Sequence, residues 1–285
     1  MNIETLRKHG IPGQVINRWK SSGMKFLLPI QAESVNSYGI LDGQSVVING
    51  PGTSGKTFCG ETAAIRNATR GGKSVFLVPL KAIAEEKYRL FKKRYAPLGI
   101  RVAMATRDHI DRGIARGEYE ILISVYEKFN SLTATDITLI RNTGCFILDE
   151  FQMISNSERG FNLELLIARI REFNPESQLV LLMGEGSSPR NVSEWLDIPC
   201  LEENRRPVDL RLGILHRGTF HFRGFNDFRE GEEFWLERRE KTDYDGVLGD
   251  QAVAAIEALI TKGEQVIVFC SSKPGCMKLA EHLAA

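Results

Sequence analysis

The stretch GPGTSGKT at residues 50–57 constrains the fold of this chain more than any other feature of the sequence. Gly50, Gly55, Lys56 and Thr57 satisfy every fixed position of the pattern G-x-x-x-x-G-K-[ST]. An apolar, strand-like run precedes the stretch, and a sequence with helical character follows it. In a strand–loop–helix unit of this kind, backbone N–H groups and the positive end of the helix dipole surround a phosphate group. The stretch therefore predicts a phosphate-binding loop.

Apolar runs typical of strands recur along the chain and alternate with helical patterns. They are SVVIN (45–49), SVFLVP (74–79), RVAMA (101–105), EILIS (120–124), CFILD (145–149) and QLVLLM (178–183). This alternation is typical of a parallel sheet covered by helices on both faces, in which ligands bind at the carboxyl ends of the strands. We therefore predict an α/β domain with a parallel sheet flanked by helices.

Changes in composition and periodicity along the sequence predict three segments. Residues 1–212 form the first domain, with a helical lead-in at 1–44. Residues 213–247 are charged and aromatic without clear periodicity, which indicates a linker or an excursion from the domain. Residues 248–285 contain a helix, the strand-like run QVIVFC and another helix, and these cannot close a core alone. We expect them to begin a second, truncated domain and the natural sequence to continue past Ala285.

Composition narrows the class of protein but not the partner. The net charge of +1 neither indicates nor excludes nucleic acid, because such binding needs only a local basic surface. No apolar run approaches the roughly 18 residues that a membrane span needs. We expect no membrane partner and a cytoplasmic location, or a nuclear one if the source is a eukaryote. The five cysteines form no CxxC pair and are expected to be buried, reduced thiols.

The run CFILDEFQM supplies a second element of a nucleotide site. Asp149 would hold Mg²⁺ through water, and Glu150 would orient and deprotonate an attacking water. In the phosphate loop, Lys56 would reach the β- and γ-phosphates, and Thr57 would ligate the metal. A GTPase would need the guanine-reading pattern N-K-x-D, which the sequence lacks. The pair of acids therefore favours hydrolysis of a nucleotide, and the missing guanine-reading pattern favours ATP over GTP.

Taken in order, these motifs resemble the first motor domain of superfamily 2 helicases of the DExH type. The resemblance runs from about Ile11 to the end of the chain. It is nearest to the branch of the archaeal DNA repair helicases, the helicase half of DNA polymerase theta and the exosome-associated RNA helicases. It implies a RecA-like P-loop NTPase domain and the beginning of a second RecA-like domain, for which GEQVIVFCSSKPGCMKLAEHL resembles motif IV.

The resemblance also implies which residues bind ATP. FLLPIQAESV resembles the Q motif, in which Gln31 would read the adenine edge, and GPGTSGKT is motif I. The implied set for ATP is Gln31, Gly50, Gly52, Thr53, Ser54, Gly55, Lys56 and Thr57. The catalytic set is Lys56, Asp149, Glu150 and Gln152, and the ligands of Mg²⁺ are Thr57 and Asp149, partly through water. The implied cofactors are ATP and Mg²⁺.

Other motifs of the family imply contacts with single-stranded nucleic acid. VPLKAIAEEKY resembles motif Ia, so Pro79, Leu80 and Lys81 would face the strand backbone. SVYEKF resembles the next strand-contacting motif and nominates Ser124. SERGFNLELLIARIRE resembles a segment of the DNA repair branch and nominates Arg159, so DNA is favoured over RNA.

Two departures from the family pattern concern the link between the ATP site and the strand site. Gln152 stands where the family usually has His, and the Ser-Ala-Thr of motif III is absent, since Met183, Gly184 and Glu185 fall at that place. In addition, Val125 stands where a Thr often contacts phosphate. These departures put the coupling between the two sites in doubt.

The resemblance implies the ATP-binding motor domain of a 3′-to-5′ DNA helicase or translocase. Motifs V and VI, with the arginine finger, would lie beyond Ala285, so we expect little hydrolysis by this chain alone. Two alternatives stay open: an RNA helicase of the same branch, and a non-motor nucleotide-binding scaffold with a degenerate motif III. Protein partners, pathway and oligomeric state are not indicated by the sequence.

The basic run EEKYRLFKKRY (85–95) has two interpretations. Its Lys and Arg side chains could form a surface that contacts a strand. Its aromatic residues Tyr88, Phe91 and Tyr95 also recur at spacings of three and four, which predicts a helix with an inward aromatic stripe. We favour the second interpretation.

Overall fold

A computed structural model describes residues 1–186, 188–235 and 250–284 of the chain. They divide into two compact units, Met1–Pro207 and Val208–Ala285. The helices of the first unit are α1 (Gly13–Ser21), α2 (Pro29–Asn36), α3 (Lys56–Thr69), α4 (Lys81–Tyr95), α5 (Tyr126–Thr135), α6 (Thr138–Arg141), α7 (Gly160–Phe173) and α8 (Pro189–Leu196). Its strands are β1 (Val46–Asn49), β2 (Lys73–Val78), β3 (Val102–Ala105), β4 (Ile121–Val125), β5 (Thr143–Leu148), β6 (Gln178–Met183) and β7 (Cys200–Glu202).

The seven strands form one parallel sheet in the order β3-β4-β2-β5-β6-β1-β7. Each of the six apolar runs forms one of these strands, so the predicted α/β fold with a parallel sheet is confirmed. The short strand β7 was not predicted. Side chains alternate across the sheet, so Val46 and Ile48 join one apolar core and Val47 joins the other. Both faces are therefore buried, which explains why the strands read as continuous apolar runs.

The helical lead-in is packed into the first unit by a buried polar network. The indole N–H of Trp19, on α1, donates to Glu61 Oε1 over 3.2 Å and to the hydroxyl of Tyr95 over 2.7 Å. Glu61 lies on α3, and its carboxylate also accepts from the hydroxyl of Tyr95 and, over 2.6 Å, from the guanidinium of Arg94 on α4. Helix α1 is thus held to the two helices that follow the phosphate loop and motif Ia.

Helix α4 buries the predicted aromatic stripe. Phe91 and Tyr95 are completely buried, and Tyr88 packs partly buried against the same core. The inward orientation predicted for these aromatics is confirmed. Lys87 is buried on the same face, although its charge suggested an exposed position.

The second unit contains an antiparallel sheet of β8 (Arg211–His216), β9 (Thr219–Gly224) and β10 (Glu230–Phe234). Its helices are α9 (Asp250–Thr261) and α10 (Lys273–Ala284). We predicted a linker or an excursion at 213–247, and the sheet gives residues up to Phe234 a regular structure that the sequence did not indicate. The assignment of the segment to a linker stays a prediction. Arg217 and Gly218 both have positive φ and make a tight hairpin between β8 and β9. The rest of the predicted linker, 236–247, lies outside the described residues.

Strands β8 to β10 were not predicted because charged residues interrupt the apolar pattern that usually indicates a strand. Arg211 pairs with Glu233, and His221 lies 3.0 Å from Glu232, so the charges of neighbouring strands face one another. Phe222 lies between two glycines, Gly213 and Gly231, in the cross-strand register. The alternation is therefore one of aromatic, glycine and charged residues instead of apolar and polar ones.

The run QVIVFC (265–270) is not a strand in the structure, contrary to expectation. Val266, Val268 and Cys270 are partly buried against the small core of α9 and α10, whereas Ile267 and Phe269 are 82% and 90% exposed. This alternation has the period of a strand, but no described strand pairs with it, and a strand is defined by its ladder of hydrogen bonds. The assignment of 1–212 and 248–285 to two RecA-like domains stays a prediction.

Within the described ranges, no helix combines the length and the apolar character that a bilayer span requires. The predicted cytoplasmic location stays a prediction.

Candidate functional site

The phosphate loop connects the carboxyl end of β1 to the first turn of α3. Thr53 and Gly55 have φ values of 68° and 89°, and this left-handed backbone turns the chain into the helix. The ammonium of Lys56 lies folded over the loop, where it donates to the carbonyl oxygens of Gly50 over 2.5 Å and Pro51 over 3.0 Å. Thr57 is exposed in the first turn of α3. Lys56 and Thr57 thus lie at the loop, as the motif predicts.

The hydroxyl of Ser54 is a buried polar group inside this loop. The residue is 1% exposed, and its Oγ forms no hydrogen bond with any part of the chain that the structure describes. A Cβ on Gly50 would lie 3.0 Å from this oxygen, so a side chain at that position would crowd the loop. Gly52 is exposed and leaves the loop backbone open.

Gln31 joins α2 to the phosphate loop. Its Oε1 accepts the backbone N–H of Leu28 over 2.9 Å, and its Nε2 donates to the carbonyl of Gly55 over 3.1 Å. The Q motif and motif I are therefore in contact, as expected for one nucleotide site. Reading of adenine by Gln31 stays a prediction.

The two acids of motif II lie just after β5. The backbone N–H of Asp149 donates to Leu77 on β2 over 2.9 Å, and the hydroxyl of Tyr126 donates to the carbonyl of Asp149 over 2.7 Å. The carboxyl of Asp149 is buried, which raises its pKa, and the nearby charge of Lys87 opposes this shift. Glu150 has a φ of 55° and an exposed side chain, so the two carboxyls differ in their environment.

Gln152 connects motif II to the segment that follows β6. Its Nε2 donates to Glu150 Oε2, and its Oε1 accepts the backbone N–H of Gly184 over 2.9 Å. Gly184 stands at the place of the missing Ser-Ala-Thr. A side-chain amide and a backbone N–H thus provide a contact between motif II and this segment, where the sequence left the contact in doubt. The altered coupling between the two sites that these departures imply stays a prediction.

Charged side chains from several loops act electrostatically on the ammonium of Lys56. Burial lowers the pKa of Lys56, and the carboxylates of Glu150, Asp149 and Glu185 oppose this shift, whereas Arg206 adds to it. A lysine held among carboxylates and partly withdrawn from water is suited to bind an anion that also carries a divalent cation. The phosphate loop and motif II therefore form one electrostatic site at the carboxyl edge of the sheet.

Four of the predicted strand-contacting residues lie near the start of α4, on the same edge of the sheet: Pro79, which is buried, Leu80, Lys81 and Arg159. Arg159 donates to the carbonyl of Pro79 over 3.3 Å and lies 3.7 Å from the carboxylate of Glu127. Leu80 is half exposed, and the ammonium of Lys81 forms an exposed ion pair of 2.6 Å with Asp108. Arg159 and the motif Ia segment are therefore brought together. Their contact with nucleic acid stays a prediction.

Ser124 does not belong to this surface. The residue is completely buried, and its hydroxyl donates to the carbonyl of Ala105 over 2.9 Å and lies 3.2 Å from that of Val125. The expectation that Ser124 contacts nucleic acid is wrong for this structure. Ser124 lies in β4 beside β3, and alternation along the strand directs its side chain to a covered face of the sheet.

Two charged residues at the site, Lys87 and Arg206, were missed from the sequence. Lys87 lies 3.7 Å from Asp149, and Arg206 lies 2.9 Å from Glu185. Lys87 shares a helical face with Ala84 and Phe91 at spacings of three and four, and this pattern could have identified it as buried. No local pattern indicates the contact between Arg206 and Glu185.

The sequence matches the profile of a known family. The profile, described as "DEAD/DEAH box helicase", matches residues 28–184, which is more than half of the chain.

Curated relatives carry a more specific name. The protein "ATP-dependent DNA helicase Hel308" of Pyrococcus horikoshii is 33% identical over 274 residues, which are 96% of this chain and 36% of the relative. The protein of the same name from Caldivirga maquilingensis is 32% identical over 263 residues, which are 92% of this chain and 32% of the relative. The chain spans about a third of the length of these relatives.

Solved structures of helicases share the fold. "DUF1998 helicase MrfA" superposes with a TM-score of 0.68 and 16% identity, over 96% of this chain and 40% of that chain. The same protein "bound to DNA" gives a TM-score of 0.58 and 17% identity, over 69% of this chain and 30% of that chain. At this level of identity the likeness establishes the fold alone, and it agrees with the predicted RecA-like architecture.

Proposed function

We propose, from the premise that this chain belongs to the DEAD/DEAH box helicase family, that it is the ATP-binding motor domain of a nucleic-acid-dependent helicase or translocase. The observation that carries the proposal is the convergence of motif I and motif II. The backbone N–H of Gly50 donates to the carbonyl of Met183 over 3.3 Å, and the amide of Gln152 connects Glu150 to the next residue, Gly184. The two motifs therefore meet at the edge of the sheet where ligands of parallel α/β folds bind, and their carboxylates act on the charge of Lys56.

The residues present fit ATP with Mg²⁺. The buried Ser54 hydroxyl, which the described protein groups leave without a hydrogen bond, could donate to a phosphate oxygen. Lys56 can exchange the carbonyls of Gly50 and Pro51 for the phosphates, which bear full charges. Mg²⁺, when bound, neutralises charge on the phosphate oxygens. Thr57 and Asp149 are the residues that would hold it.

In the proposed reaction, Glu150 accepts a proton from the water that attacks the terminal phosphate. Gln152 donates to Glu150 and fixes the direction of its carboxylate. The scaffold alternative has no need for a base held in this way, so this contact favours a working motor. We propose little hydrolysis by this chain alone, because the arginine finger of the family belongs to motif VI.

We propose that the substrate is single-stranded DNA and that the motor translocates along it in the 3′-to-5′ direction. The support is the name of the curated relatives, DNA helicases that are about a third identical to this chain. Leu80, Lys81 and Arg159 would contact the sugar–phosphate backbone. Such contacts imply little sequence preference and strong dependence on salt.

The first experiment measures binding of Mg-ATP to the 285-residue chain by titration calorimetry, with Lys56→Ala as the comparison. We expect micromolar binding, on the order of −8 kcal/mol, that the variant loses. Equal and weak binding by both proteins would refute the nucleotide-site proposal.

A second experiment measures ATP turnover alone, with single-stranded DNA and with single-stranded RNA. Stimulation by DNA above RNA supports the DNA proposal, and the reverse supports the RNA alternative. Glu150→Gln should retain ATP binding and abolish any turnover that the wild-type chain has. Undiminished turnover in that variant would remove Glu150 from its proposed role.

A further inference from the structure

We propose that Arg206 binds the terminal phosphate of ATP and that Glu185 holds Arg206 in position beside the phosphate loop until that phosphate arrives. This inference rests on the proposed function, because it concerns the same nucleotide site. It assigns a phosphate-binding residue to the segment that follows β7, where no site residue was predicted from the sequence.

The segment after β7 runs alongside the first half of the phosphate loop. The backbone N–H of Glu203 donates to the carbonyl of Asn49, the last residue of β1, over 2.9 Å. The carbonyl oxygen of Glu203 lies 3.5 Å from the position that a Cβ on Gly50 would occupy. Three residues later, both terminal nitrogens of Arg206 lie 3.7–3.8 Å from the corresponding position on Gly52. The guanidinium therefore lies directly against the open part of the loop backbone.

Glu185 holds this guanidinium from the other side. Its Oε1 lies 2.9 Å from a terminal nitrogen of Arg206, whose side chain is 16% exposed. Glu185 follows β6, one residue beyond the Gly184 that contacts Gln152. The ion pair thus joins the segment at the place of motif III to the phosphate loop, without the hydroxyl groups of a Ser-Ala-Thr sequence.

The position of Arg206 favours the terminal phosphate over the others. Arg206 pairs with Glu185, which lies two residues beyond the end of β6, and β6 is paired with β5, whose end carries the motif II acids. The charge of Arg206 acts on Lys56 together with those of Asp149, Glu150 and Glu185. Lys56 is the residue that reaches the β- and γ-phosphates in this motif. Arg206 is therefore on the side of the loop where the attacking water and its base would lie.

The chemistry of the pair fits an exchange of partners. A guanidinium forms paired, charge-assisted hydrogen bonds with carboxylate and with phosphate alike. The Glu185 side chain is 45% exposed, so it can turn into solvent at low cost. A terminal phosphate, which carries more charge than a carboxylate, would replace it. ADP lacks that phosphate, so the ion pair would persist with ADP bound.

The test compares the affinities of Mg-AMPPNP, a non-hydrolysable ATP analogue, and Mg-ADP by titration calorimetry. Arg206→Ala should weaken AMPPNP about tenfold or more and change ADP by less than about twofold, because a hydrogen bond between charged groups is lost only with the analogue. Arg206→Lys should weaken AMPPNP binding less than Arg206→Ala does, because lysine keeps the positive charge. Arg205→Ala, which removes the exposed neighbouring arginine, is the matched control and should change neither affinity.

Glu185→Gln tests the inference in the opposite direction. It removes the competing carboxylate and a negative charge near the phosphates, so AMPPNP should bind about threefold or more tightly while ADP changes less. This variant keeps the inference testable if Arg206→Ala fails to fold, as judged by circular dichroism.

The outcomes separate this inference from the function on which it rests. Suppose that Lys56→Ala loses binding, but that Arg206→Ala and Glu185→Gln both keep the wild-type ratio of AMPPNP to ADP affinity. That result overturns the inference and leaves the proposed function in place. An equal loss of both nucleotides in Arg206→Ala also overturns it, because the contact would then lie away from the terminal phosphate. Absence of Lys56-dependent binding in the wild type would overturn the proposed function itself.

Discussion

The ammonium of Lys87 lies 3.7 Å from the carboxylate of Asp149, and the two side chains are only 9% and 11% exposed. Lys87 also lies over the ring of Phe76, with its Nζ 4.2 Å from the ring centroid. Burial lowers the pKa of Lys87 and raises that of Asp149, and each charge opposes the shift of the other. The pair joins α4, which begins in the motif Ia segment, to the acid proposed to hold Mg²⁺.

Lys87→Met should destabilise the nucleotide-free chain by about 3 kcal/mol, because it leaves a buried carboxylate without its counter-charge. Asp149→Asn should also be destabilising, because it leaves the buried ammonium of Lys87 without its counter-charge. The double variant should be less destabilised than the sum of the two, because neither charge is then left alone. Urea unfolding measures all three, with the exposed Lys93→Met on the same helix as control. Additive losses would contradict an energetic coupling between Lys87 and Asp149.

Gln152→Ala should remove the hydrogen bond between the backbone N–H of Gly184 and Gln152 Oε1 without disturbing the phosphate loop. Gln152 Oε1 accepts that N–H over 2.9 Å, and the hydrogen bond is worth about 1 kcal/mol. Hydrogen exchange of the peptide that covers residues 178–186 should become severalfold faster, while the peptide that covers 50–57 stays unchanged. The exposed Gln14→Ala is the matched control. Unchanged exchange at 178–186 would mean that the amide bridge does not hold this segment.

Local spacing explains why the nucleotide site could be predicted in outline. The phosphate loop is eight consecutive residues, and its strand and helix are its immediate neighbours, so one stretch of sequence specifies them all. The six strands were predictable because both faces of the sheet are buried, which makes each strand a continuous apolar run. Likewise, Asp149 and Glu150 directly follow a strand, and parallel topology brings that end to the loop.

Contacts between distant segments could not be predicted in this way. Lys87 and Asp149, or Glu185 and Arg206, belong to different elements, and their proximity follows from the order of strands in the sheet. Ser124 ends the predicted strand EILIS, but its burial depends on the pairing of β4 with β3, where its hydroxyl donates to Ala105, and a single sequence does not specify that pairing. Strands β8 to β10 were missed because cross-strand pairing allows charged residues on exposed sheet faces, and this removes the apolar signal.

Glu61→Ala should destabilise the first unit by about 3 kcal/mol. The Glu61 carboxylate accepts hydrogen bonds from Trp19, Arg94 and Tyr95, and its removal leaves a partly buried guanidinium and two buried donors without this acceptor. Glu61→Gln should cost less, because the amide oxygen still accepts. Urea unfolding checks the order of the two variants, with the exposed Glu164→Ala on α7 as control. A loss in Glu61→Ala no larger than in the control would contradict the network.

The cysteines should differ widely in their rate of alkylation. Burial raises the pKa of the Cys59 thiol to about 12, and Cys145 is also completely buried, whereas Cys276 is exposed. Not all five thiols are buried, contrary to our expectation. Iodoacetamide at about pH 8 should label Cys276 first, because the thiolate is the reactive form and Cys59 is almost entirely protonated and shielded.

Raising the pH to about 9.5 should not make Cys59 reactive, because that pH is still well below its pKa of about 12. Labelling of Cys59 then reports unfolding, so urea should release it at the same midpoint as the loss of helical circular dichroism. Mass spectrometry of the labelled peptides measures each site separately. Rapid labelling of Cys59 in the native protein would contradict its burial beside α2 and α3.

Ser124→Ala and Arg159→Ala should have opposite effects on stability and on binding of single-stranded DNA. Ser124 is buried and donates within the sheet, so its removal should cost about 1 kcal/mol of unfolding free energy and leave DNA affinity unchanged. Arg159 is partly exposed beside Pro79, so its removal should weaken binding severalfold. Fluorescence anisotropy with a labelled oligonucleotide measures the affinity.

The dependence on salt distinguishes a phosphate contact of Arg159 from a structural role. If Arg159 neutralises one phosphate, Arg159→Ala should reduce the slope of log affinity against log salt by about 0.7. Arg159→Lys should restore most of that slope, because a lysine still carries the charge, even though it cannot reproduce the guanidinium geometry toward Pro79 and Glu127. An arginine that only holds the motif Ia segment in place would lower the affinity without changing the slope. The two variants measured together therefore assign Arg159 to the strand or to the scaffold.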